Sequence, residues 1–174
     1  QPFSNRLPAH NRPLPGECAM IAALTRAENA DASLARVTAL SLGRQSLPFD
    51  PIAEARWILD ALEPIGRPDM ILCGANGFPL HDNAYLAVAQ ALANPLGGPI
   101  PIAAYKHLCG DFYSASAFGF AVAVGLCSGA IAPASLAWLP DHALTNTTCR
   151  RVLLLTFSPT GTRALCYIEA PSSP

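Results

Sequence analysis

The segment from Ala115 to Cys127 constrains the fold of this 174-residue chain more than any other, because it has the composition of a helix without a polar side. Its residues are almost all alanine, glycine, valine, leucine or phenylalanine. A helix on the outside of a sheet keeps a polar stripe toward water, whereas a helix that is apolar all round must be buried. We therefore expect one side of this helix to pack on a sheet and the other on a second protein half or a second copy.

The composition argues against several classes of partner. Charged residues make up 13% of the chain, hydrophobic residues 51%, and the net charge is −1. This balance gives no electrostatic attraction to nucleic acid or to an anionic membrane surface. The longest apolar stretch, residues 112–139, is interrupted by serines and by Pro133 and lacks flanking basic anchors. We predict a cytoplasmic protein with no signal peptide and no membrane span.

The six cysteines, at positions 18, 73, 109, 127, 149 and 166, lie mostly within apolar runs. This placement is typical of buried reduced thiols rather than of a disulfide scaffold, whose cysteines occupy polar loops. His107 and Cys109 could be drawn together with Cys73 or His81 as a zinc site, but their spacing is not that of a known ligand pair. We therefore expect no metal and no cofactor.

Hydrophobic periodicity and turn residues predict an α/β fold. Residues 1–16 are rich in proline and asparagine and are expected to form an N-terminal arm, followed by one domain over residues 17–174. Strand candidates lie at 17–24, 34–42, 70–73, 99–105, 152–157 and 163–169, and helix candidates at 50–66, 81–93 and 115–127. The first two strands are expected to pair with each other. We predict a mixed, mainly parallel five-stranded sheet with helices on both faces.

The helix at residues 50–66 has the clearest signals at its two ends. Asp50 is suited to cap its N-terminus, Pro51 to occupy its first turn and Gly66 to end it. The apolar positions predicted to face the core are Ile52, Ala55, Ile58, Leu59 and Leu62.

The only lysine of the chain, Lys106, stands between a predicted strand and the apolar helix. Asp111 follows five residues later, so the intervening turn can fold its carboxylate back toward the ammonium group. The positive end of the coming helix favours a carboxylate there, and a buried lysine without a partner tends to lose its proton. We predict that Lys106 and Asp111 are neighbours that line a cleft.

The stretch around Lys106 resembles a motif of the β-ketoacyl synthases, Lys-Ser-x-x-Gly-His-x-x-Gly-Ala-Ala-Gly. Lys106, Gly110 and Ala115 fit this motif, and Asp111 stands at the position of its histidine. The residues 73–77 stand where the family has His-Gly-Thr-Gly-Thr, and Asp82 fits the aspartate that follows.

The same family resemblance extends to both ends of the chain. Near the C-terminus, residues 156–163 stand where the family has Ser-Phe-Gly-Phe-Gly-Gly-x-Asn, with Phe157 and Gly161 fitting. Near the N-terminus, residues 15–19 look like its Gly-Glu-Gly-Ala segment. The order and spacing of these motifs identify the chain as similar to the C-terminal half of the thiolase-fold synthases, in a degenerate form that resembles their chain-length-factor partners.

The resemblance implies a chemistry that this chain carries only in part. Ketosynthases acylate a cysteine of their first half, and two histidines of the second half promote decarboxylation of a malonyl thioester. At the first histidine position this chain has Cys73, or Gly74 if the gap is placed differently, and at the second Asp111, while the lysine is retained as Lys106. No catalytic residue is therefore assigned. Cys73 and Cys109 are interpreted as core thiols rather than nucleophiles.

Two histidines near this motif could have either a functional or a structural role. His107 could replace the lost imidazole, but on an extended backbone it points away from Lys106, which favours a packing or surface role. His81, beside Asp82, is interpreted as a cap of the next helix rather than as a base. The positions expected to contact a ligand are Lys106, His107, Asp111, Phe157 and Gly161.

Three functions remain open at this point. The first is a non-catalytic ketosynthase-like protein of fatty-acid or polyketide-type biosynthesis. The second is the C-terminal part of an active, divergent 3-oxoacyl-carrier-protein synthase, and the third is an acyl-thioester binding module. The expected partners are a ketosynthase half or subunit and an acyl carrier protein, in a dimer. Because the sequence starts at Gln1 rather than at a methionine, we expect a fragment or a processed chain.

Overall fold

The computed structural model describes residues 22–26, 33–111, 114–136, 148–158 and 160–171. Five strands are present: β1 (Arg36–Arg44), β2 (Met70–Cys73), β3 (Ile102–Ala104), β4 (Arg151–Phe157) and β5 (Thr162–Glu169). Between them lie four helices: α1 (Pro51–Leu62), α2 (Pro79–Ala93), the single turn α3 (Lys106–Cys109) and α4 (Ala115–Cys127). The N-terminal arm predicted at residues 1–16 lies outside the described residues.

The five strands form one sheet in the order β1-β5-β4-β2-β3. β2 runs parallel to both β3 and β4, whereas β5 runs antiparallel to both β1 and β4. Four strands therefore share one direction and β5 alone opposes it, which confirms the predicted mixed, mainly parallel five-stranded sheet.

The predicted pairing between the strand candidates at 17–24 and 34–42 falls mostly outside the described residues and stays a prediction. Within the described part, β1 pairs on one side with β5, with Arg36 opposite Glu169 and Leu42 opposite Ala164. Residues 22–26 are described and lie in no strand, while residues 17–21 lie outside the described part. Alternation within β1 indicated a strand, but it carried no information on which segment completes the hydrogen-bond ladder.

Helices cover both faces of the sheet. α1 and α2 pack on the face that contains Ile71, Cys73 and Leu153, whereas α4 packs on the face that contains Leu72 and Val152. All four residues of β2 are buried, as expected for a parallel strand between two helical layers.

Helix α1 starts where the sequence predicted, and Ala55, Ile58 and Leu62 face the core as predicted, but its first turn differs. Asp50 Oδ1 accepts a hydrogen bond from the Ile52 amide at 2.9 Å, which confirms the cap. Ile52, predicted to face the core, is 65% exposed, and Glu54 is fully buried. The Glu54 carboxylate is compensated by Arg163 Nη1 at 2.6 Å and by the Ser46 amide at 2.8 Å. This compensation allows a charged side chain to occupy a core position.

Helix α4 packs closely on the rest of the chain along one side. A Cβ atom at Gly119 would lie 2.7 Å from the Tyr105 ring, so glycine is required for this approach. The opposite side carries half-buried apolar or small residues, namely Ala117, Phe118, Phe120, Ala121 and Val124. A second cover for this side remains a prediction.

Within the described residues no disulfide joins Cys73, Cys109, Cys127, Cys149 and Cys166 to one another, and Cys18 lies outside them. Over the same part of the chain, no group of histidine, cysteine and carboxylate side chains is arranged to hold a metal ion. No described helix has the length and apolar character needed to span a membrane.

Candidate functional site

The candidate site lies at the carboxyl ends of β2 and β3, which are neighbours in the sheet. Lys106 follows β3, and its Nζ atom lies 2.5 Å from Asp111 Oδ1. The second carboxylate oxygen, Oδ2, accepts a hydrogen bond from Asn76 Nδ2 at 2.7 Å, and Asn76 comes from the loop after β2. The predicted proximity of Lys106 and Asp111 is confirmed, and both carboxylate oxygens are engaged by protein groups.

The loop after β2 is held by a second carboxylate. Asp82, in the first turn of α2, accepts hydrogen bonds from the Asn76 amide at 3.0 Å and the Gly77 amide at 3.2 Å. Burial raises the pKa of Asp82, and these two hydrogen bonds oppose that rise. The Asn76 side chain also accepts from the Phe78 amide at 3.0 Å. Asn76 is therefore fixed by its backbone and its side chain, which orients its amide toward Asp111.

Two tyrosines and a glycine form the buried side of the site. A Cβ atom at Gly74 would lie 3.0 Å from Tyr85 Oη, 3.2 Å from Tyr105 Oη and 3.4 Å from Lys106 Cε. The Tyr85 hydroxyl accepts a hydrogen bond from the Phe157 amide at 2.8 Å. The absence of a side chain at Gly74 lets the hydroxyls and the lysine stem converge beside β2.

The Tyr105 hydroxyl is buried and lies without a hydrogen bond of standard geometry. Burial raises the pKa of Tyr105 well above its ordinary value, and the nearby Thr156 side chain opposes this rise without completing a hydrogen bond. Tyr105 is therefore a neutral phenol at the base of the site.

Phe157 and Gly161, the two ligand-contact positions predicted from the C-terminal motif, occupy different surroundings. Phe157 is 5% exposed and stacks on Tyr85, with ring centroids 4.9 Å apart. It therefore supports the site from within the core. Gly161 lies in the turn between β4 and β5, where its φ of 80° favours glycine and its carbonyl accepts from the Gln45 amide at 2.9 Å. A ligand contact at either residue remains a prediction.

The cysteines near the site have the properties of core thiols. Cys73 is fully buried, and burial raises its pKa to about 12, so the thiol is neutral near pH 7. A neutral thiol in such surroundings is a poor nucleophile. Cys109 is half-buried, and its Sγ atom lies 3.3 Å from the Gly110 carbonyl oxygen.

Both histidine interpretations require correction. Lys106 and His107 lie in the helical turn α3 rather than on extended backbone, so the alternation argument for His107 does not apply. Its Nδ1 atom is buried without a hydrogen-bond partner, and burial lowers its pKa. His81 is not a cap, because α2 begins at Pro79 with Phe78 before it. Burial, followed by the charge of Lys106, lowers the pKa of His81.

Sequence reasoning missed two of the residues that build this site. Asn76 was seen only as part of a motif, and Tyr105 only as the end of a strand. Both residues act through contacts with residues distant in sequence. The only signal in the sequence was the run of small and polar residues at 74–77, which is typical of a loop whose backbone lies close to other groups. The site contains one ion pair, one half-buried carboxylate that accepts from backbone amides, and neutral tyrosine and imidazole groups.

Comparison with known proteins gives matches at the level of structure. No protein-family model and no curated protein matches the sequence. The ketosynthase from module 1 of the bacillaene synthase of Bacillus amyloliquefaciens is 15% identical, with a TM-score of 0.65 over 84% of this chain and 32% of that one.

Two further solved structures give similar matches. One is a type II polyketide synthase acyl-carrier protein in complex with its ketosynthase bound to the hexaketide, at 17% identity and a TM-score of 0.64, covering 83% of this chain and 41% of the other. Another is an oxazolomycin ketosynthase domain of Streptomyces albus, at 18% identity and a TM-score of 0.60, covering 86% and 34%. The chain thus spans roughly a third to two-fifths of these proteins, and it has the thiolase-type fold of the ketosynthases.

Proposed function

We propose that this chain is a ketosynthase-like protein of fatty-acid or polyketide-type biosynthesis that does not itself condense thioesters. The observation that carries the proposal is the bonding of Asp111. By the resemblance, Asp111 stands where the family has a catalytic histidine, and both of its carboxylate oxygens are occupied by Lys106 and Asn76. A carboxylate accepts hydrogen bonds and cannot donate one to a developing enolate oxygen.

The other groups of the site do not replace the missing function. The Lys106 ammonium is engaged by Asp111, so its charge is already neutralised locally. Cys73, at the other histidine position, is a buried neutral thiol that would have to lose a proton near pH 12 to become a nucleophile. These features favour a non-catalytic partner, of the kind that a chain-length factor represents, over an active divergent synthase.

The proposed partners are a ketosynthase half or subunit and an acyl carrier protein. The half-buried apolar side of α4 supports the first, because α4 contains no acidic or basic residue and such a surface is stabilised by contact with another apolar surface. A solved ketosynthase of the same fold is bound to its acyl carrier protein, which supports the second. We propose that the chain functions in a dimeric assembly.

The catalytic part of the proposal is tested by incubating the chain with acyl- and malonyl-carrier protein and measuring ketoacyl product by mass spectrometry. We expect no product above a control without the chain. Product above that control would contradict the proposal and support the active-synthase alternative. Asp111→Asn provides a matched variant, because product that disappears with this change would originate at the described site and not from a contaminating synthase.

The partner surface is tested at Ala121 on the half-buried side of α4. Ala121→Glu should prevent association with a ketosynthase subunit, as measured by size-exclusion chromatography with light scattering. Gly125 is less suitable, because a Cβ atom there would lie 2.6 Å from the Ile131 side chain and would disturb the chain's own packing. Unchanged association of the folded Ala121→Glu variant would exclude this side of α4 as the contact.

A further inference from the structure

Asn76 is the only asparagine of the chain that is followed by glycine. Asparagine is a chemically labile residue, and glycine after it favours deamidation because no side chain hinders attack by the glycine amide nitrogen. The turn after β2 favours glycine at this position, since the φ of Gly77 is 87°, in the left-handed region. The fold therefore keeps a labile pair of residues within the candidate site.

Deamidation of this pair consumes only water. The Gly77 amide nitrogen attacks Cγ of the Asn76 side chain, so that an N–Cγ bond forms and the Cγ–Nδ2 bond breaks. The Gly77 amide proton leaves with the Nδ2 group as ammonia, and a cyclic succinimide remains. Water then opens this ring and leaves aspartate or isoaspartate at position 76. The reaction requires that the Asn76 side chain and the Gly77 amide be free to approach each other.

In the folded chain, the three groups that take part in this reaction are all held by hydrogen bonds. The Gly77 amide donates to Asp82 Oδ2 at 3.2 Å, and Asn76 Nδ2 donates to Asp111 Oδ2 at 2.7 Å. Asn76 Oδ1 accepts from the Phe78 amide at 3.0 Å. The side chain cannot turn toward the Gly77 amide without breaking these bonds, and its burial, with Asn76 only 5% exposed, limits the access of water.

We propose that Asn76 is a latent deamidation site that the carboxylates of Asp82 and Asp111 protect in the folded chain, and that its modification disrupts the candidate site. The product loses the Nδ2 donor and gains a carboxylate beside Asp111. Two carboxylates then compete for the single ammonium group of Lys106, which is unfavourable at this separation. This consequence does not depend on which ligand the site takes.

The test follows modification of Asn76 in the full chain by peptide mass spectrometry at mildly alkaline pH. We expect the folded chain to react at least about tenfold more slowly than the chain unfolded in urea, the factor that one charge-assisted hydrogen bond contributes. Asp82→Ala should make the folded chain react about tenfold faster for the same reason. Asp111→Ala releases only Nδ2 and should have a smaller effect. Asp60→Ala, which removes an exposed carboxylate from α1, is the matched control and should change nothing.

Circular dichroism establishes that each variant is folded, and Asp82→Ser takes the place of Asp82→Ala if the latter is not. A folded chain that reacts as fast as the unfolded one would overturn the proposed protection. A faster reaction in the folded chain would overturn it too, and would make Asp82 the base that removes the Gly77 proton. Unchanged rates in the folded variants at Asp82 and Asp111 would show that these carboxylates do not protect Asn76.

The consequence of the modification is tested separately with Asn76→Asp, which has the side chain of one product. This variant should unfold at a lower urea concentration than the unmodified chain, because its new carboxylate faces Asp111. Asn76→Ser, which removes the amide without adding a charge, separates the loss of the donor from the added repulsion and should be the more stable of the two. Equal urea midpoints for Asn76→Asp and the unmodified chain would overturn the proposed disruption.

Discussion

Two ion pairs in this molecule, Glu54–Arg163 and Lys106–Asp111, have the same chemistry and different surroundings. The Glu54 side chain is fully buried and Arg163 is 16% exposed, whereas the side chains of Lys106 and Asp111 are 12% and 23% exposed. The first pair joins α1 to β5 within the fold, and the second lies at the end of the parallel strands where a ligand can approach. The comparison shows that burial and location separate a structural ion pair from one in a candidate site.

The partners of each pair support this distinction. Glu54 also accepts hydrogen bonds from the backbone and side chain of Ser46, and the Arg163 guanidinium lies 4.2 Å from the centroid of the Trp57 ring. These contacts engage both carboxylate oxygens of Glu54 from within the fold, while Arg163 Nε is buried without a hydrogen-bond partner. Asp111 is bound by the side-chain amide of Asn76 and by Lys106, and it remains partly exposed to solvent.

The largest effect is expected from Glu54→Ala. Removing the fully buried carboxylate leaves the half-buried Arg163 guanidinium without its partner and the Ser46 amide without its acceptor, which should lower the free energy of unfolding by about 3 kcal/mol. Urea denaturation measures the change. The double variant Glu54→Leu/Arg163→Met serves as the control, because removing both charges should restore part of the loss. A single variant that loses less than about 1 kcal/mol would show that the pair resembles an exposed one.

Gly119→Ala tests how closely α4 packs against Tyr105, the residue before Lys106. The added Cβ atom would lie 2.7 Å from the Tyr105 ring, which is itself fully buried and has little space to move. We expect a loss of about 1–3 kcal/mol in the same denaturation assay, the usual result of overpacking. Ala117→Ser, on the half-buried side of α4, should have little effect. If Gly119→Ala were as stable as the unmodified chain, the contact between α4 and Tyr105 would have to be looser than described.

Lys106→Met should destabilise the chain less than Glu54→Ala does. Because solvent reaches both side chains of this pair, the uncompensated Asp111 carboxylate is partly hydrated, and we expect a loss of about 1–2 kcal/mol. Lys106→Met/Asp111→Asn removes the charge imbalance and should be more stable than the single variant. A loss equal to that of Glu54→Ala would remove the distinction between the two pairs.

The smallest effect concerns pH. Folding lowers the pKa of His81 and of His107 below the ordinary value of 6.5, so between the lowered and ordinary values the unfolded chain binds more protons than the folded one. Stability should therefore rise as the pH increases toward 6.5 and level off above it. Denaturation curves between pH 5 and 8 measure this slope, and His81→Phe should reduce it. An unchanged slope in that variant would assign the whole dependence to His107 or to other groups.

The parts of the fold that depend on residues close together in the sequence were predictable from it. Asp50 caps α1 through the amide two residues later, and Lys106 meets Asp111 five residues later across a short turn. In each case the chain itself keeps the two groups close, so their types and spacing were sufficient evidence. The buried β2 strand was also recognisable, because a short run of apolar residues is typical of a parallel strand covered on both faces.

The contacts that distinguish a site from a core required the tertiary structure. Glu54 and Arg163 are 109 residues apart and Asn76 and Asp111 are 35 apart, and nothing in their local sequences specifies these partners. A lone carboxylate is costly to bury, and the guanidinium that compensates Glu54 comes from a strand near the other end of the chain.

The sequence by itself determined most of the helices and strands of this protein, the mixed α/β class and the local pair of Lys106 with Asp111, since each follows from periodicity or short spacing. The tertiary structure alone decided that β1 pairs with β5, that Glu54 rather than Ile52 faces the core, and that Asn76 completes the bonding of Asp111. The physical reason is that burial and hydrogen-bond satisfaction are properties of groups brought together from distant parts of the chain.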